Sequence, residues 1–340
     1  MPKWREADIP TQEGRTAIVT GGNSGIGWYT ALGLARAGAE VIIATRSERR
    51  ARSAMEAIRS LVPHAALRFE PLDLASLVSV RAFVERVGRG PKVDLLVNNA
   101  GVMFVPDRQL TEDGFERQLG TNYLGPFALT LGLMPALLRS PSPRVTTVSS
   151  TAAGGGRKRI QFEDLQWDRA YAHYAAYCQS KLAGLMFALE LGRRAATAGL
   201  SLVSNACHPG IARTNLQSSG RGRAPGVGMR ILLTVIAQEA SSAALPSLRA
   251  ATDPAAGSGS YYGPNGLGGT KGDPIPVRIP PAAGDLATRA RLWAVSEQLT
   301  GFRWEFVSTP TLRVRGDVQH ASRSSLGIGL HPASPVKGTQ

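Results

Sequence analysis

The sequence predicts an α/β fold in a single domain: one doubly wound parallel sheet of about seven strands, with helices on both faces. Three observations predict it. Short β-branched runs recur that are nearly continuously apolar, as strands buried on both faces require. Stretches of helical period separate them, the pattern of crossover connections between parallel strands. A chain of 340 residues, 43% of them hydrophobic, can bury one substantial core.

TAIVT (Thr16 to Thr20) and EVIIAT (Glu40 to Thr45) read as the first two strands, joined by a helix from Gly25 to Gly38. ALRFE (Ala66 to Glu70), VDLLVNNA (Val93 to Ala100), RVTTVSS (Arg144 to Ser150) and LSLVSNA (Leu200 to Ala206) follow, with a short last strand around Ser260 to Tyr262. Helices are expected at Glu48 to Leu61, Leu77 to Val87, Asp113 to Leu138, Tyr171 to Thr197 and Ala240 to Ala250. Pro135 should kink or end the third of these. Between Ile211 and Gln238 the pattern breaks into SSGRGRAPGVG and then MRILLTVIA, which reads as an arm leading into an apolar cover. After Gly301 the pattern fades into a polar, cationic stretch with the composition of a disordered tail. The expected organisation is an extension at 1–13, a single folded domain at 14–302 and a tail at 303–340.

Lys plus Arg number 39 against 25 Asp plus Glu, a formal charge of +14. Such a balance suits phosphate-bearing ligands, nucleic acid or anionic lipid, and equally a plain arginine-rich surface. No zinc-finger spacing, RNA-binding aromatic motif or heptad-bearing basic helix accompanies it, so no nucleic-acid partner is expected. A cationic tail that binds DNA is the rival reading. Cys178 and Cys207 are too few for a disulfide framework and share no metal-ligand spacing with histidine, which fits a reducing cytoplasm and no bound metal. The start, MPKWREADIP, has no signal-peptide core, and the longest apolar run, Ile231 to Ala237, is too short to span a membrane.

TGGNSGIG (Thr20 to Gly27) follows the first strand and opens the first helix. There, glycines permit a tight turn that brings backbone N–H groups to a pyrophosphate, and the helix N-terminus adds partial positive charge. Gly21, Asn23, Ser24, Gly25, Ile26 and Gly27 are therefore candidate dinucleotide contacts. At the end of the second strand an acid would accept from the adenosine ribose, whereas an arginine accommodates a 2′-phosphate. Thr45-Arg46-Ser47 stands there, with no acid before Glu48. Arg46 thus favours NADP(H), although Arg46, Arg49 and Arg50 also read as a solvated helix start.

TGGNSGIG, NNAG (Asn98 to Gly101), the strand-end VSS, YCQSK and HPG (His208 to Gly210) occur in that order, and with them the chain resembles the short-chain dehydrogenase/reductase family from about Gly14 to Phe302. PLDLASLVSVRAF, AYCQSKLA and YYGPNG make it similar to the retinol-dehydrogenase-like and WW-domain-oxidoreductase-like members and to bacterial carbonyl and polyketide ketoreductases. The resemblance implies a Rossmann-type fold and NADP(H)-dependent interconversion of a carbonyl compound and its alcohol. It makes Tyr177 the proton donor in reduction, with Lys181 one helical turn on to stabilise tyrosinate and bind the nicotinamide ribose. A free tyrosine has a pKa of about 10, which Lys181 and oxidised nicotinamide should lower. Ser150 would hydrogen-bond the substrate oxygen, with Ser149 as the alternative, and Asn122 would hold a water that links the lysine to solvent. Asn99, Ala100 and Gly101 match the turn beside the riboses, Asp73 the adenine contact, and Pro209, Gly210 and Thr214 the stretch over the nicotinamide amide. His208 and Cys178 read as structural.

Ser150 and Tyr177 lie 27 positions apart, so GGGRKRIQFEDLQWDRAYAHYA should form an excursion at the active-site mouth. The apolar run Val227 to Ala237 suggests a bulky hydrophobic substrate, an anthracycline-type polyketide ketone among them. A retinol- or steroid-like alcohol and a dinucleotide-binding protein without catalysis are the alternatives. The resemblance also implies homo-oligomers joined through the long helices carrying Asn122 and Tyr177, with the excursion as an obstacle.

Overall fold

The computed structural model describes residues 3–211 and 238–306. Its strands are β1 (Thr16–Thr20), β2 (Glu40–Thr45), β3 (Leu67–Pro71), β4 (Leu95–Asn98), β5 (Arg144–Val148), β6 (Val203–Cys207), β7 (Tyr261–Gly266) and β8 (Lys271–Pro276). They form one sheet in the order β3-β2-β1-β4-β5-β6-β7-β8. All neighbours pair in parallel except β8, which returns antiparallel to β7. The described sheet thus has eight strands rather than about seven. KGDPIP hides the eighth from a sequence reading because its two prolines cannot donate to a ladder, and such a strand belongs at an edge.

The helices are α1 (Gly25–Arg36), α2 (Glu48–Leu61), α3 (Leu77–Gly88), α4 (Gly125–Leu137), α5 (His173–Thr197), α6 (Ala240–Thr252) and α7 (Leu286–Thr300). Strand residues alternate between two cores. Ile18, Leu96 and Val145 meet Phe127 and Phe187 on one face, while Ala17, Val19 and Val97 meet Leu34 and Leu248 on the other. This double burial is why the strands read as unbroken apolar runs.

One long helix was expected from Asp113, but residues 110–116 close a turn instead, with Leu110 bridging Glu116. The buried Glu116 carboxylate then accepts from Gln118 N and Leu119 N and starts a single turn at Arg117–Leu119. A π-helical turn, Gly120–Leu124, leads on into α4, which ends two residues beyond Pro135. α7 was not expected, because its apolar residues follow no clear stripe. Asp285 caps it, accepting from Thr288 N. It lies across α4 and α5, with the Trp293 ring 5.1 Å from Phe127 and 5.8 Å from Phe187. Association was expected through the long helices carrying Asn122 and Tyr177, and α7 packs on that pair.

The described residues form one compact unit. The boundary drawn at Phe302 falls inside it, since Trp304 and Phe306 pack on the core. At the other end Trp4 and Ile9 join the second core, and Gln12 is fully buried, its N–H donating to Ala37 O.

Candidate active site

β1 is flanked by β2 and β4, so the chain crosses over at this point and opens a crevice at the carboxyl ends of the strands. Thr20, the last residue of β1, ties the crevice together. Its hydroxyl accepts from Asn99 N at 2.9 Å and Ala100 N at 3.0 Å, and Asn99 Nδ2 donates to Thr20 O at 2.8 Å. The glycine turn packs directly on that junction. A Cβ on Gly27 would lie 2.4 Å from Asn99 Nδ2 and 2.4 Å from Gly21 O, so no larger residue fits. Ser24, extended at the α1 N-cap, makes no capping bond and is exposed beside Asn23, Gly25 and Ile26. The cradle, the helix N-terminus and this exposed hydroxyl fit a dinucleotide pyrophosphate.

At the end of β2, Thr45 is buried and Arg46 exposed. The Arg46 guanidinium lies 3.6 Å from the Asp73 carboxylate, whose other oxygen accepts from Ala75 N. Glu48, the first acid after the strand, is engaged by Arg52 at 2.5 Å. Arg46 and Asp73 therefore share the corner where an adenosine ribose would lie, and Glu48 has a cationic partner of its own.

At the ends of β4 and β5 the candidate catalytic residues converge. Asn122, in the π-helical turn, accepts from Val102 N at 2.7 Å and donates to Val102 O at 2.8 Å. Its Nδ2 also reaches Ser180 Oγ at 2.9 Å, and Ser180 donates to Tyr177 O at 2.8 Å. Gly101 is wedged beside them, since a Cβ there would lie 3.0 Å from Asn122 Oδ1 and 3.4 Å from Lys181 Nζ. Lys181 Nζ donates to Val148 O at 3.0 Å and stands 6.0 Å from the centre of the Tyr177 ring.

The Tyr177 phenol is pushed up to about 12 by burial, against which a hydrogen bond with the Ser150 side chain acts. The phenol is thus raised rather than lowered as expected, and at neutral pH it carries its proton. Burial also brings the Lys181 ammonium down to about 8, opposed by Cys207. Ser149 does not face the phenol: it is buried, donates to Lys181 O at 2.8 Å and meets Tyr261. Cys178 is buried against Tyr174.

The HPG turn closes the other side. Gly210 N donates to His208 Nδ1 at 3.3 Å, and Pro209 O accepts from Gln238 Nε2 at 2.7 Å. Burial lowers His208 to about 4, so it is a neutral imidazole held in place. Thr214 and the apolar run Val227 to Ala237 lie outside the described residues. Among the described residues no group of three or more His, Cys, Asp or Glu could hold a metal ion, and no helix is long and apolar enough to cross a membrane.

Three contributors escaped the sequence reading. Thr20 and Ser180 sit inside quoted motifs, where a hydroxyl before the glycines and one beside the lysine were available signals. Phe104, whose ring centre is 6.0 Å from that of Tyr177, has no such signal.

Residues 15–163 match the short chain dehydrogenase family. Human retinol dehydrogenase 13 is 40% identical over 309 residues, which cover 87% of this chain and 86% of that protein. The chain belongs to the short-chain dehydrogenase family. It is an oxidoreductase acting on CH–OH groups. Mouse polyprenol dehydrogenase is 46% identical over 218 residues, 63% of this chain and 64% of that one. The crystal structure of an uncharacterized protein from Mycobacterium paratuberculosis matches with a TM-score of 0.73 and 40% identity, over 89% of this chain and all of the other. A structure from Beutenbergia cavernae, described as an NAD(P)-dependent gluconate 5-dehydrogenase with bound NADP, matches with a TM-score of 0.57 and 26% identity, over 72% and 92% of the two chains.

Proposed function

We propose that this short-chain dehydrogenase interconverts a ketone or aldehyde and its alcohol with NADP(H), on a bulky hydrophobic substrate. The observation that carries the reading is a buried, protonated Tyr177 phenol hydrogen-bonded to Ser150, beside Lys181 and within one crevice of the glycine turn. Gly21 to Gly27 would hold the diphosphate, Asn99 to Gly101 and Lys181 the riboses, and Pro209 and Gly210 the amide end. The bound nicotinamide supplies the hydride. Ser150 and Tyr177 donate hydrogen bonds to the carbonyl oxygen, and Tyr177 Oη gives up its proton as negative charge develops there. The Lys181 ammonium stabilises the tyrosinate left behind, and Asn122 fixes Val102 and Ser180 around the pair. Exposed Arg46 and the engagement of Glu48 by Arg52 support NADP(H) over NAD(H), as does the NADP-bound relative from B. cavernae.

Relatives named for retinol and polyprenol support a long apolar alcohol or its aldehyde as substrate, against a polycyclic polyketide ketone. NADPH consumption over carbonyls graded by size, with retinal and a polycyclic ketone among them, separates these. Tyr177→Phe should lose roughly 10²–10⁴-fold in turnover while NADPH fluorescence titration stays within about twofold. A variant that keeps most of its activity sinks the mechanism.

A further inference from the structure

We infer that Phe104 selects which carbonyl compounds reach Tyr177, and that Tyr171, from the excursion between Ser150 and Tyr177, holds it in place. The inference rests on the reading of Tyr177 as proton donor. Residues 102–105 are pinned at both ends. Asn122 takes both the N–H and the C=O of Val102, at 2.7 and 2.8 Å. Tyr171 Oη donates to Val105 O at 2.8 Å and is itself fixed by Gln118 Nε2 at 3.1 Å. Gln118 is fully buried and also donates to His173 O at 2.9 Å, so the anchor belongs to the packed body. Between the pins Phe104 adopts φ 55°, the left-handed region that aromatic residues rarely occupy.

The consequence is the placement of the ring. Phe104 stacks on Tyr174 with centres 6.1 Å apart and planes 22° from parallel, and it lies 6.0 Å from Tyr177 at 37°. His173 meets its edge at 6.1 Å. Tyr174 is 48% exposed, so the stacked pair forms an apolar wall beside the proton donor that an incoming molecule can touch. Two stacked rings favour a flat or conjugated substituent on the carbonyl, through offset stacking and dispersion. A small aliphatic ketone reaches Ser150 and Tyr177 without that contact. Loss of the Tyr171 hydroxyl would release Val105 O and let Phe104 return to a relaxed conformation with its ring elsewhere. Phe104 is thus a specificity-determining residue, and Tyr171 a positioning residue acting through it.

The test compares 2-acetonaphthone with butanone on the NADPH-loaded protein, and measures in parallel the affinity of NADP⁺-loaded protein for 2-acetonaphthone by fluorescence quenching. Phe104→Ala should lower kcat/KM for the naphthyl ketone about tenfold, mainly through KM, and leave butanone within about twofold. Tyr171→Phe, which keeps the ring, should move the same ratio about three- to fivefold. The double variant should be no worse than Phe104→Ala alone, because both act through one ring. Equal losses on the two ketones, additive losses, or an unchanged ratio would overturn the inference. If neither ketone turns over, the catalytic reading is at fault, and the binding arm still decides the wall: naphthyl affinity unchanged in Phe104→Ala refutes it, and a drop of about tenfold upholds it.

Discussion

At the carboxyl end of β1 the crevice is made of backbone: Gly27 too close to Asn99 for any Cβ, the N-terminus of α1 without a side-chain cap, and a threonine hydroxyl tying two strand ends. At the carboxyl ends of β5 and β6 it is made of buried ionisable side chains, Tyr177, Lys181 and His208, all pushed toward their neutral forms by burial. The first side suits a ligand whose charge is permanent, because its dipoles are fixed and cannot titrate. The second suits chemistry in which a proton must move, because Tyr177 holds a proton to deliver and Lys181 stands beside it to offset the charge left behind.

The largest effect should fall on the side-chain half. Ser150→Ala should cost roughly 10²-fold or more in kcat/KM for a carbonyl substrate, while Ser149→Ala should leave kcat nearly unchanged and register in urea unfolding. Equal kinetic damage from both would erase the distinction between the two serines. Acid should also separate the halves. His208 stays neutral in the fold down to about 4 against 6.5 when free, so the unfolded chain binds the extra proton. Its stabilising contribution is full above pH 6.5 and is lost as pH falls toward 4, on the order of 3 kcal/mol in total. Hydrogen exchange at pH 4.5 should therefore loosen the β6–β7 ladder before the β1–β2 ladder, and His208→Asn should flatten the dependence.

On the backbone half, Thr20→Val keeps the shape but leaves Asn99 N and Ala100 N without their acceptor. A loss of about 1–3 kcal/mol in urea unfolding is expected, with weaker dinucleotide binding and an unaltered pH profile. A shifted pH profile would show that the two halves are not separable. The smallest effect is expected from Arg46→Ala, a drop of about tenfold in the preference for NADPH over NADH, read from paired fluorescence titrations.

The same contrast explains what the sequence made legible. Backbone-built features leave local signatures: the glycine spacing, the N-terminus of α1 and the strand ends were readable because each is set by a few consecutive residues. Tyr177 and Lys181 were readable for the same reason, being one turn apart on α5. The resemblance supplied Ser150 and Asn122, which no local period connects to them. Contacts made across distant segments left no trace. Tyr171 touching Val105 and the cover of α4 and α5 by α7 depend on packing partners far along the chain. The choice between Ser149 and Ser150 needed the fold as well, since adjacent residues leaving a strand face opposite ways and only coordinates say which faces Tyr177. The π-helical turn at Asn122 hid inside what read as ordinary helix, and the acidic cap at Glu116 moved the helix start four residues beyond the apparent one.

The edges of the sheet limit how this molecule can meet others. β8 offers a neighbouring chain a rim in which two of six residues have no N–H to give. β3, at the opposite edge, ends in Pro71 and carries Arg68 and Glu70, already tied to each other and to Glu40 and Arg86. Both rims are blunted against a further strand, β8 by its prolines and β3 by Pro71 and its paired charges, which disfavours amyloid-like growth and peptides that bind by adding a strand. Replacing Pro274 and Pro276 with valine would reopen one rim, and light scattering during expression at high concentration would report it.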